Sequence, residues 1–140
     1  MSLQSGISDL ASRIAQEFKA IRIVPTRVLQ ASTGSATITS DASTGQNVRT
    51  YAASSGAAVV IGEPTNGSDG QVIRYRIYPS SGSCTVEIAS TIRKTQGLTR
   101  GPHTVAAGEI AILALEYVGP GSLTNPPNDW VLTAFTITEA

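Results

Sequence analysis

The apolar pattern of this chain changes period once, near Val28, and that change limits the fold more than any other feature. Before it, Ile7, Ala11, Ile14, Phe18 and Ile21 recur at spacings of 4, 3, 4 and 3, which places them on one helical face. After it, short runs rich in β-branched residues alternate with period 2 between Gly, Pro and Asn breaks. The first pattern predicts a helix from Ile7 to Ile23. Ser5 or Ser8 would cap it, Asp9 would suit its first turn, Lys19 and Arg22 its last, and Pro25 would stop it. Leu10 and Ala15 widen the stripe. A helix of this length is marginal alone in water, so its apolar face must meet its own β domain, copies of itself or a larger particle. Ile at successive d positions with Ala and Phe at a leaves the number of strands in such a bundle open.

The second pattern predicts strands at Ser35–Thr39, Val48–Ala53, Ala57–Ile61, Val72–Tyr78, Cys84–Ala89, Glu109–Val118 and Trp130–Ile137. Strands at this spacing imply an all-β fold, an antiparallel β-sandwich or jelly-roll-like barrel, with one N-terminal α-helix. The division is a helical arm over 1–27 and a β domain over 28–140. In Val72–Tyr78, Ile73, Tyr75 and Ile77 point one way and Arg74 and Arg76 the other. The run Ile110–Leu115 is apolar on both faces, as a covered central strand or an oligomer interface would be. No fixed-period repeat runs through the chain, which argues against a solenoid or propeller.

Few residues carry chemistry. The chain has 140 residues, ten basic and ten acidic, a formal charge of zero, and only 14% charged residues. Such a neutral chain is not an electrostatic binder of nucleic acid or anionic lipid, and near-zero charge favours association. No apolar run reaches spanning length and no signal peptide is evident, so neither membrane insertion nor export is expected. Cys84, the single cysteine, permits no internal disulfide and reads as a small buried hydrophobe. His103, the single histidine, has no partner for a metal or a triad and is expected at the surface or packed in a loop. Asn66–Gly70 lacks the closing glutamate of a calcium loop and reads as a turn, and Gly119-Pro120-Gly121 opens no helix that could cradle a phosphate. Arg74, Arg76, Arg93, Lys94 and Arg100 would form a mildly basic face or simply a solvated one with ion pairs. Trp130 would anchor the core or an interface. No catalytic residue, metal site or cofactor is expected.

The turn Pro64-Thr65-Asn66-Gly67-Ser68-Asp69-Gly70-Gln71, leading into Val72-Ile73-Arg74-Tyr75-Arg76-Ile77, resembles a recurring segment of bacteriophage tail and virion proteins. Two later elements of those proteins have counterparts in Val105–Ile110, which runs into an apolar strand with Glu116-Tyr117, and in Asn128–Ala134. The leading helix is similar to helices opening minor tail proteins of actinobacterial phages. The resemblance implies a non-enzymatic, homotrimeric virion protein, made in the host cytoplasm, that binds other virion proteins. A chain this short without a fibrous stalk is more like a capsid decoration protein bound to the major capsid protein. The alternative is a minor tail or tail-tip module binding a host receptor or glycan. A monomeric carbohydrate-binding domain ranks third and an enzyme last. The expected oligomer or docking interface comprises Ile7, Leu10, Ala11, Ile14, Phe18 and Ile21 on the helix, with Ile110, Ile112, Leu113, Leu115 and Trp130 on the β domain.

Overall fold

The computed structural model describes residues 3–21, 27–119 and 129–139, with helix side chains described through Ile14. The expected helix stop at Pro25, the Gly119-Pro120-Gly121 motif beyond Gly119, and the break at Asn125–Asn128 lie outside the described residues, as do the side chains of Ala15, Phe18 and Ile21. Helix α1 spans Leu3–Ile21. It starts a turn earlier than expected, so Ser5 and Ser8 lie within it rather than capping it, and its first turn holds no acidic residue. Leu3 extends the stripe of Ile7, Leu10 and Ile14 by one turn.

Ten strands follow among the described residues: β1 (Val28–Thr33), β2 (Ala36–Ile38), β3 (Val48–Ala53), β4 (Ala58–Ile61), β5 (Val72–Pro79), β6 (Cys84–Ile88), β7 (Arg93–Lys94), β8 (His103–Val105), β9 (Ala111–Val118) and β10 (Asp129–Ile137). They form a six-stranded sheet, ordered β1-β3-β5-β9-β10-β7, and a four-stranded sheet, ordered β2-β4-β6-β8. The fold is mostly β with one N-terminal helix, but the sheets are mixed, which corrects the expectation of an antiparallel sandwich or jelly roll. From β1 to β6 the chain steps alternately between the sheets, and each strand pairs parallel to the one two before it. These are successive turns of a coil. Only β8 against β6, β9 against β5 and β10 against β9 are antiparallel. Alternation with period 2 is common to both kinds of pairing, so it could not tell them apart.

The coil also explains why no repeat was visible. Val28 pairs with Val48 and Val48 with Arg74, so one turn advances 20 residues and the next 26. On the other sheet Ala36 pairs with Val59 and Ala58 with Thr85. The strands stack in register while the corners between them differ in length. Inward side chains of both sheets join one core, in which Ile61, Ile73, Tyr75, Ile77, Val86 and Leu113 are fully buried. The alternation expected in β5 holds, with Ile73, Tyr75 and Ile77 inside and Arg74 and Arg76 outside. Strand β9 is central in its sheet, between β5 and β10.

Candidate interaction surfaces

Helix α1 has every described side chain exposed. Leu3, Ile7, Leu10 and Ile14 are 82%, 59%, 57% and 45% exposed. Steps of 4, 3 and 4 residues place all four on one face. An amphipathic helix with a bare apolar stripe is the largest departure from ordinary burial among the described residues. Ala11, flanking the stripe, is exposed as well.

The expected β-domain interface divides. Leu113 and Leu115 are fully buried and Trp130 is 1% exposed. These three belong to the protomer's own core and cannot reach a partner, a correction that follows from the pleat of β9 and from Trp130 packing on Tyr117, 5.1 Å between ring centroids. Ile110 is 37% exposed and Ile112 half-buried on the opposite face. These two residues lie on the outer face of the six-stranded sheet. One row crosses it as Gln30, Thr50, Arg76, Ile112 and Thr136. Ile112 stands in that row between Arg76 and Thr136.

Beside this face, Tyr78, Pro79, Gly108, Glu109 and Ile110 line an open hollow of about 230 Å³. Tyr78 is 37% exposed, whereas Tyr51, Tyr75 and Trp130 are buried. The Glu109 carboxylate is engaged, accepting from the Ala106 N–H at 2.8 Å.

The basic residues do not converge on one patch. Arg74 and Arg76 lie on β5, three strands away from Arg93 and Lys94 on β7. Arg93 pairs with Asp129 at 2.6 Å, and Arg100 donates to the Ile92 carbonyl at 2.7 Å. His103 lies in β8 rather than in a loop. Its ring stacks on Phe135 at 4.2 Å, and Nε2 lies 3.0 Å from the Thr99 carbonyl. Cys84 is buried in β6, and desolvation raises its thiol pKa, as befits a core hydrophobe.

The turn before β5 is a polar clasp. Asn66, at φ +57°, donates from Nδ2 to Asp41 Oδ1 at 3.1 Å, and Asp69 Oδ1 accepts from the Gly119 N–H at 3.1 Å. Hydrogen bonds from Ser43 first, and then from Asn66, hold the Asp41 carboxyl below its usual range. Sequence reasoning missed Arg49, which is buried on β3. It donates from Nε to the Gln46 carbonyl and from Nη2 to the Asp41 carbonyl, both at 3.0 Å, and so ties the Ala42–Thr44 turn to the sheet. An alternating strand gave no signal that this charge points inward. Among the described residues no three His, Cys, Asp or Glu side chains gather as metal ligands, and no helix is long and apolar enough to cross a membrane.

The chain matches no family model, and no curated protein or solved structure is significantly similar to it.

Proposed function

We propose that this chain is a non-enzymatic structural protein of a phage virion, a homotrimer joined through α1 that decorates the shell of the major capsid protein. The observation that carries this reading is the bare stripe of Leu3, Ile7, Leu10 and Ile14. Together these side chains expose roughly 400 Å² of mainly apolar surface, within the range of a monomer's largest patch, which is often functional. In the heptad frame of Ile7 and Ile14, Leu3 and Leu10 fall at g, which broadens the seam as a bundle requires. Three weak docking faces on one trimer would then add avidity on a repeating shell. The outer sheet face with Ile110 and Ile112 would supply apolar contact for docking on such a surface.

The tail-tip alternative draws on one observation, the hollow beside Tyr78. It offers a single exposed aromatic, while Trp130 and two other tyrosines are buried. Glycan recognition by stacking favours more, so decoration is preferred. Quantitative mass spectrometry of purified virions decides between them. A copy number that is a simple fraction of the capsid subunit count supports decoration, and a handful of copies moves the protein to the tail. Absence from particles overturns both readings.

A further inference from the structure

The N–H groups of Val48 and Ser54 donate to the carbonyls of Arg27 and Thr33, so the odd-numbered residues of β1 turn their backbone groups toward β3. The N–H and C=O of one residue share a side of a strand, and therefore those of Val28, Gln30 and Ser32 face the other way. Nothing among the described residues pairs with that edge. The coil is open there by one layer. Leu29 and Ala31 are half-buried, whereas Tyr51 and Ala53 one turn below are 7% and 0% exposed.

The other sheet edges are protected. β7 has two residues, both cationic, and β2 and β8 have three residues each. Short or charged edges discourage strand addition. β1 offers six residues, Val-Leu-Gln-Ala-Ser-Thr, with no charge and no proline.

We infer that β1 pairs antiparallel with β1 of a second copy, about a twofold axis at Gln30. The edge is self-complementary. Val28 would face Ser32 of the other copy and Gln30 would face Gln30, three hydrogen-bonded pairs exchanging six bonds. On the core side Leu29 would face Ala31, a large residue against a small one. At a twofold axis each residue meets itself, so a charge at position 30 would repel its own copy. A carboxamide instead donates and accepts. This pairing is independent of the helix and of the virion reading. Together with a helix-joined trimer it yields six chains.

Analytical ultracentrifugation of the whole chain over a concentration series tests it, using Gln30→Lys and Gln30→Glu. The Gln30 side chain is exposed, so both variants keep the fold, which circular dichroism checks. The expected result is an even number of copies for the parent and half that mass for each variant. An equimolar mixture of the two variants regains the parent mass, because Lys then meets Glu across the axis. Amide exchange should slow at Val28, Gln30 and Ser32 in the parent and speed up there in Gln30→Lys. A parent of one or three copies, variants of unchanged mass, or a mixture that fails to reassociate overturns the pairing.

Discussion

Gly67 shows how a single position can be set by a distant one. A β-carbon there would lie 2.7 Å from Trp130 Cζ2 and 2.8 Å from Tyr117 Cδ2. The turn signal around it was legible, but its contact with a tryptophan 63 residues away was not. Gly67→Ala should lower stability by about 1–3 kcal/mol through overpacking, measured by urea denaturation. Tyr75 gives a pH signature. Burial raises its pKa to about 12, with Ser40 accepting its hydroxyl hydrogen bond at 2.9 Å. In the unfolded chain the phenol ionises near 10, so between these values the unfolded state binds fewer protons and stability falls as pH rises. The loss approaches roughly 2–3 kcal/mol by pH 12. Urea midpoints at successive pH values should show this fall, and Tyr75→Phe should flatten it. Cys84 should resist an aromatic disulfide reagent in the native state and react once in denaturant; rapid native labelling would contradict its burial.

At the scale of elements, the helix was legible from its period because one face of 3.6-residue spacing needs no tertiary information. Its start was not, since Ser5 and Ser8 offered competing caps and Leu3 precedes both. Ile7 and Ile14 belong to every reading of the stripe. Replacing both with Asp should weaken helix-mediated assembly by at least tenfold per substitution, about 1.4 kcal/mol each. The β-sheet circular dichroism should be unchanged, because neither residue contributes to the core. Retention of the full assembly would remove α1 from the interface. Strands were placed well where alternation was regular, as in β5. Their partners were misjudged because partner choice depends on where each corner sends the chain. None of the corners from Ala53 to Cys84 closes a hairpin; each carries the chain to the opposite sheet.

For the whole molecule, alternation identified inward residues such as Ile73 and Tyr75, but it could not reveal that Leu113 and Leu115 are core while Ile112 is surface-facing. A strand apolar on both faces carries no internal clue to which side is covered. Stability should therefore be graded across the large sheet. β5 and β9 are flanked by strands on both sides, and their amides should exchange slowest, while the two-residue β7 should exchange fastest. Hydrogen exchange read by NMR would show this gradient, and uniform protection would contradict it.

Because successive turns advance by 20 and then 26 residues without loss of register, corner length is uncoupled from strand stacking. Residues 80–83, between β5 and β6, are all exposed. Their two ends are tied down, by Ser80 N–H to the Ala53 carbonyl and Gly56 N–H to the Ser83 carbonyl, each at 2.7 Å. A foreign peptide spliced between Ser81 and Gly82 would leave both anchors in place and project outward, making the coil a display frame whose cargo can lengthen while its strands keep their places.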